Sequence, residues 1–164
     1  MSLTAMFRPG MRGYLVPFFS GLALVACGFL PWIIVDEVRL IGFPNVYPLW
    51  VMGLGGLSAV LAVLSMITRK NSRHPLFLAG LAALGILLLS WRVMPKSFDR
   101  QLLSRAQAIA IVDGTELITP PHALVGSGIY VGLVASAAIV LFGFTIVFKR
   151  VTRPYVVSDP NDDV

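Results

Sequence analysis

The sequence predicts an all-α integral membrane protein: a four-helix bundle with a short amphipathic helix and a possible small hairpin in the outer loop between helices 3 and 4. Hydrophobic residues make up 57% of the 164 residues and charged residues 13%, and the mean hydropathy is +0.83. This composition lies outside the range of soluble globular domains. The apolar residues also gather in four runs, each about as long as a membrane-crossing helix requires.

The four runs define the predicted spans of a single membrane domain that covers residues 1–164. The clearest run, Gly126 to Phe148, contains no charged residue. The spans are predicted at residues 14–35, 47–67, 75–94 and 127–148. Pro17 and Pro31 lie near the ends of the first span, where a proline costs a helix little. Residues 95–125 form the outer loop, and the acidic tail at 158–164 is predicted to be disordered because it has no apolar anchor.

Basic residues predict the orientation of the bundle. Arg8, Arg12 and the basic clusters at 69–73 and 149–153 fall on one side of a four-span arrangement. The first loop on the other side contains two acids, Asp36 and Glu37, against one arginine. The positive-inside rule therefore places both termini in the cytoplasm.

Aromatic residues give a second pattern that agrees with this orientation. Trp32, Trp50 and Trp91 all lie at the outer ends of predicted spans, where tryptophan is typical of the membrane interface. Arg92 lies within a turn of the end of the third span, so its long side chain can reach the interface. We expect these four residues to act as interface anchors.

The single cysteine, Cys27, excludes an internal disulfide and a zinc site built on cysteines. The sequence Leu24 to Cys27 resembles the lipobox of a lipoprotein signal peptide. Apolar sequence continues beyond it to Val35, however, as expected for a full span rather than a short signal segment. We therefore expect Cys27 to be a small buried residue in a helix.

The outer loop is predicted to contain an amphipathic helix capped by Ser97, with Asp99 in its first turn. Its apolar side either lies on the membrane surface or packs against the protein's own loops, since both arrangements satisfy the same periodicity. The Asp113-Gly114 pair is compatible with the turn of a small hairpin between residues 109–112 and 115–118.

Small residues predict where helices pack closely. Gly128, Gly132 and Ser136 lie four residues apart on one face of the fourth span, a feature called here the α4 seam, and Gly55 and Ala59 offer a matching surface on the second span. Such faces let helix backbones approach each other. The α4 seam is expected to contact either the second span or another chain, with the internal contact favoured.

The residues predict no catalytic, metal or cofactor site. Predicted spans contain no acid of the kind that ion-coupled transporters use, and His74 and His122 lie on opposite sides of the membrane. Either histidine could still contact a cofactor held by a neighbouring subunit. The net charge of +5 reflects basic residues beside apolar runs, which indicates topology signals rather than nucleic-acid binding.

Three short patterns carry a resemblance to a known group. Leu30-Pro31-Trp32 closes the first span, glycines crowd the second span, and Gly126-x-Gly128-x-Tyr130 opens the fourth. In these features the chain resembles small bacterial four-span membrane proteins, including the tryptophan-associated transmembrane proteins. The resemblance implies a four-helix membrane protein and supplies no catalytic residues.

Two functions remain open on sequence grounds. The first is a non-catalytic accessory or structural subunit that packs against other subunits of a larger membrane complex, for instance a respiratory or photosynthetic assembly, within the lipid bilayer. The second is an independent small transporter, channel or lipid-handling protein whose sites come from backbone groups and small polar side chains. Small-residue faces and the absence of recognisable chemistry favour the first.

Overall fold

The computed structural model describes residues 12–68, 72–116 and 119–151. Of these described residues, 77% are helical. After a short 3₁₀ turn at Arg12–Tyr14, the four helices are α1 (Leu15–Cys27), α2 (Val46–Thr68), α3 (Arg73–Asp113) and α4 (Ser127–Val151). The prediction of a mostly helical chain with four helices is confirmed. The predicted acidic tail, residues 158–164, lies outside the described residues.

A small sheet, which the sequence analysis did not predict, covers one end of the bundle. Its strands are β1 (Pro31–Val35), β2 (Val38–Ile41) and β3 (Ala123–Val125), in the order β2-β1-β3 with both pairings antiparallel. In the register, Ile33 pairs with Leu40 on one side and with Val125 on the other. The sheet lies where α1 ends and where α2 and α4 begin, and this end of the molecule is called the sheet end.

The predicted first span is wrong at its end, because α1 stops at Cys27 instead of Val35. Pro31 has no N–H to donate to the Cys27 carbonyl, so the helical hydrogen-bond pattern cannot continue there. That carbonyl instead accepts from the Leu30 N–H at 3.3 Å and from Trp32 Nε1 at 2.8 Å. The following Trp-Ile-Ile-Val run is rich in aromatic and β-branched residues, and it forms strand β1.

The other three helices are long and apolar enough to cross a membrane. The qualifying segments are Val46–Thr68, Arg73–Asp113 and Ser127–Thr145, each with a window of mean hydropathy 2.0. Helix α1 is apolar but only 13 residues long, or roughly 20 Å at 1.5 Å per residue.

Helix α3 corrects the prediction of a separate amphipathic helix in the outer loop. It runs for 41 residues through Pro95 without ending, roughly 60 Å in length. Proline removes only one helical hydrogen bond, and the neighbouring turns keep theirs. Ser97 is therefore not a helix cap; its hydroxyl donates to the Met94 carbonyl at 2.8 Å within the same helix.

The predicted hairpin around Asp113-Gly114 is also wrong on its first side, because residues 109–112 are helical. Gly114 adopts a positive φ of 62° and ends α3, with its N–H donating to the Ala110 carbonyl. An Asp-Gly pair serves a hairpin turn and a helix C-terminus equally well, since both need a left-handed residue.

Neighbouring helices contact in the cyclic order α1, α2, α3, α4, so α2 and α4 lie diagonally across the bundle. Fully buried apolar side chains from the helices and from β1 fill the interior. They include Leu24, Cys27, Trp32, Val51, Leu76, Leu87, Ile129 and Ile139. Four serines, Ser58, Ser65, Ser90 and Ser136, are buried with them.

Candidate functional site

Trp32 organises the junction between the sheet and the helices. Its side chain is 1% exposed, and its Nε1 donates to the Cys27 carbonyl at the end of α1. Two glycines make room for the ring: a Cβ built on Gly42 would lie 2.6 Å from Trp32 Cδ1, and one on Gly128 would lie 2.7 Å from the same atom. Because the ring is buried and its N–H is satisfied, the prediction that Trp32 is an interface anchor is wrong.

The α4 seam faces the interior of the bundle. A Cβ on Gly132 would lie 2.9 Å from Leu87 Cδ2 of α3 and 3.2 Å from Cys27 Sγ of α1. Ser136 is fully buried, and its hydroxyl donates to the Leu133 carbonyl at 3.0 Å. The seam therefore packs against α1 and α3 of its own chain, which leaves it unavailable to a partner.

Gly55 and Ala59 belong to a second close crossing, between α2 and α1. A Cβ on Gly21 would lie 2.6 Å from the Gly55 carbonyl oxygen and 2.8 Å from the Ala59 nitrogen. Conversely, a Cβ on Gly55 would lie 2.6 Å from Leu24 Cβ. The expected pairing of these residues with the α4 seam is wrong, because α2 and α4 are diagonal and Gly21 of α1 supplies the matching surface.

The remaining predicted anchors lie on the surface near the sheet end. Trp50 is 63% exposed on α2 and Trp91 is 43% exposed on α3. Arg92, next to Trp91, is also exposed. Their role as interface anchors stays a prediction.

Asp99 joins the far part of α3 to the sheet, a role that its sequence position did not reveal. One carboxylate oxygen accepts the Ala123 N–H of β3 at 2.7 Å, and the other lies 3.7 Å from His122 Nδ1. The His122 side chain is 89% exposed, and His74 is exposed at the other end of the bundle. The structure thus brings His122 to Asp99 and keeps the two histidines apart.

Three surface grooves are relevant to binding. An apolar groove of about 410 Å³ runs along α2, lined by Leu49, Trp50, Gly53, Leu54 and Leu57. Another of about 520 Å³ lies between α1 and α4, among residues such as Phe19, Tyr130 and Val134. The third, about 260 Å³, is lined by Trp91, Arg92, Pro95 and Lys96 on α3. These are referred to as the α2 groove, the α1/α4 groove and the Arg92 groove.

Nothing among the described side chains assembles a recognisable reaction centre. In residues 12–68, 72–116 and 119–151, no three His, Cys, Asp or Glu residues lie close enough together to hold a metal ion. Cys27 donates its thiol hydrogen to the Leu24 carbonyl at 3.0 Å and is buried among helices.

Comparisons of the chain with protein-family models, with curated proteins and with solved structures find no match. The resemblance to tryptophan-associated transmembrane proteins therefore stays a prediction.

Proposed function

We propose that this chain is a four-span protein of the bacterial inner membrane, with cytoplasmic termini, that acts as a non-catalytic accessory subunit of a larger membrane complex. The α2 groove carries the proposal. It lies in the apolar part of a helix long enough to cross a membrane, and no charged residue lines it. Its occupant in this proposal is an apolar membrane helix of another protein.

Gly53 makes the α2 groove suitable for a helix. A Cβ built on Gly53 would meet no atom of the described chain within 4 Å, unlike Gly55, whose space is filled by α1. Within a membrane, helices associate through close van der Waals contact, which small residues permit. A lipid tail is flexible enough to cover almost any apolar surface. The exposed backbone at Gly53 therefore improves the packing of a lipid tail less than it improves the packing of a partner helix.

The internal packing also supports a role in contact rather than in transport. Gly21, Gly55, Gly128 and Gly132 are all used inside the bundle, where the buried side chains are mostly apolar. The buried serines Ser58, Ser65 and Ser136 donate their hydroxyl hydrogens to carbonyls of their own helices. A transported solute would need a polar path through this interior. The α2 groove, by contrast, is accessible without any rearrangement of the helices.

Gly53→Leu tests the proposal, with Gly85→Leu as the matched control. Gly85 is an exposed glycine on α3, and a Cβ there also meets nothing within 4 Å. Both variants should fold at least as well as the natural chain, because leucine favours a helix over glycine by roughly 0.8 to 1 kcal/mol. After purification in mild detergent, a chain that co-migrates with the natural protein should be lost from Gly53→Leu and kept by Gly85→Leu.

Two results would contradict this function. Retention of the same co-migrating chain by both variants would show that the α2 groove does not hold the partner. A natural protein that purifies alone from its source membrane, with its helices intact by circular dichroism, would argue against an accessory role altogether.

A further inference from the structure

The Arg92 groove combines cationic donors with an aromatic residue at one level of α3. Trp91, Arg92, Pro95 and Lys96 span about one and a half helical turns and border a shallow, open groove of about 260 Å³. Side chains four residues apart on a helix are neighbours, with Cβ atoms about 5 to 6 Å apart. The Arg92 guanidinium and the Lys96 ammonium can therefore act on one anion.

These two cations have no carboxylate partner among the described residues. Asp99, the nearest acid along the chain, directs its carboxylate to the Ala123 N–H and His122 at the sheet, and among the described residues it forms no ion pair with Lys96. Arg92 and Lys96 are both exposed. An anion that enters the groove thus meets two positive charges that form no ion pair within the described part of the chain.

The position of the groove along α3 selects the kind of anion. Residues 75–91 carry no charge and, as a helix, cover roughly 26 Å, close to the thickness of a hydrocarbon core. Arg92 is the first charge beyond that stretch, which places it at the level of lipid phosphates. Trp91 agrees with this placement, because tryptophan prefers the interface and its N–H is an additional donor there.

Pro95 adds an acceptor to this set of donors. It has no N–H, so the Trp91 carbonyl lacks the helical donor that a residue at position 95 would otherwise supply. Both residues line the groove. A headgroup whose phosphate contacts Arg92 and Lys96 could donate a hydroxyl hydrogen bond to this carbonyl.

We propose that the Arg92 groove binds the headgroup of an anionic phospholipid, with the phosphodiester on Arg92 and Lys96 and a headgroup hydroxyl on the Trp91 carbonyl. Arginine suits this role because its planar donors match phosphate oxygens in pairs. A zwitterionic headgroup would bring a third positive charge beside two cations, which disfavours it. The inference uses the membrane placement proposed above but is independent of the α2 groove and its partner.

Retention of defined lipids on the purified full chain tests the site. The protein is exchanged into vesicles or nanodiscs of phosphatidylglycerol, phosphatidylmethanol or phosphatidylcholine, and bound lipid is counted by native mass spectrometry after release. We expect preference for phosphatidylglycerol over phosphatidylcholine. Arg92→Gln and Lys96→Gln should each lower that preference by about fivefold, from the usual contribution of one cation near an anionic surface.

Arg100→Gln is the matched control, because Arg100 continues the same stripe of α3 one turn further from the groove and is also exposed. It should leave the preference unchanged. An equal loss in Arg100→Gln, or equal retention of phosphatidylglycerol and phosphatidylcholine by the natural chain, would overturn the site and indicate only general attraction of basic residues to lipid.

Two further arms separate the parts of the proposal. Phosphatidylmethanol has the same charge as phosphatidylglycerol but no headgroup hydroxyl. Pro95→Ala restores an N–H to the helix and should therefore remove the preference for phosphatidylglycerol over phosphatidylmethanol. If the natural chain shows no such preference, the proposed role of the Trp91 carbonyl is refuted. Displacement of the lipid by millimolar inorganic phosphate would instead show a site for soluble anions. Loss of the co-migrating chain in Gly53→Leu with lipid preference intact would leave the two proposals distinguished.

Discussion

Substitution of Gly128 by alanine should lower the unfolding free energy, although alanine is ordinarily the better residue inside a helix. A Cβ at this position would lie 2.7 Å from Trp32 Cδ1 and 2.8 Å from the Cys27 carbonyl oxygen. One is a rigid ring atom and the other belongs to the backbone, so neither can move aside cheaply. Overpacking of this kind costs about 1 to 3 kcal/mol, and any shift of Trp32 also weakens its hydrogen bond to Cys27, worth about 0.5 to 1.5 kcal/mol.

Gly128→Ala should therefore lose about 2 to 4 kcal/mol of unfolding free energy. Gly132→Ala should lose less, because its closest neighbour is the end of the flexible Leu87 side chain. Gly85→Ala should gain up to about 1 kcal/mol, since alanine favours the helix and nothing lies within 4 Å of the new methyl group.

Reversible unfolding in mixed detergent micelles, followed by circular dichroism, measures this series of three variants. Trp32 fluorescence in a background with Trp50 and Trp91 replaced by phenylalanine reports the junction directly. Equal stability of Gly128→Ala and Gly85→Ala would refute the tight packing of α4 against β1 and the end of α1.

Three other predictions concern the Asp99 contact, the buried Ser90 hydroxyl and the membrane topology. Asp99→Ala should lower the unfolding free energy by about 1 to 3 kcal/mol and speed amide exchange at Ala123, because a charged acceptor is lost at a half-buried site. His122→Ala removes a side chain that is 89% exposed and should change the stability little. Equal effects of the two substitutions would refute the anchoring role of Asp99. Ser90→Ala should be neutral or stabilising in the same unfolding assay, because the buried Ser90 hydroxyl has no hydrogen-bond partner among the described atoms, and a loss above about 1 kcal/mol would reveal a partner. A cysteine placed at Thr115 in a Cys27→Ala background should be labelled by an impermeant reagent from outside the cell and one at Ser2 only after lysis; labelling of both from one side would contradict the four-span topology.

The sequence was informative wherever a long apolar run could form only one structure. Val46–Thr68 and the first part of α3 were recognisable because a run of about 20 apolar residues has few alternatives to a membrane helix. The first run contained two structures instead. A helix of 13 residues and a strand of five together have the length of one span, and hydropathy does not distinguish them.

Local signals with two meanings account for the errors at the sheet end. Pro95 and Ser97 together resemble the start of a new helix, yet α3 continues through Pro95 as one helix. Gly114 fits a hairpin and a helix terminus equally well, and the contacts of Asp99 with β3 depend on residues more than twenty positions away. Sequence patterns report the neighbours within a few residues, whereas these outcomes depend on the tertiary structure.

For the packing residues, the sequence predicted which residues share a helix face but not which helix that face contacts. Spacing alone identified Gly128, Gly132 and Ser136 as a close-packing face, because helical periodicity determines which residues share a side. It could not identify the opposite surface, since the cyclic order of the helices is a property of the whole bundle. Gly21 and Gly53 show this best: one is enclosed by α2 and the other is open, although both are glycines in apolar helices.

Photo-crosslinking from the α2 groove in intact cells tests the proposed accessory role most directly. A photoreactive residue at Leu57, which lines the groove and is 49% exposed, is compared with one at Leu88 on α3, which is 48% exposed. We predict that the Leu57 probe forms a crosslink to one other membrane protein and that the Leu88 probe does not. Crosslinks to lipid alone from both positions, or to a second copy of this chain from Leu57, would contradict docking of a partner subunit in the α2 groove.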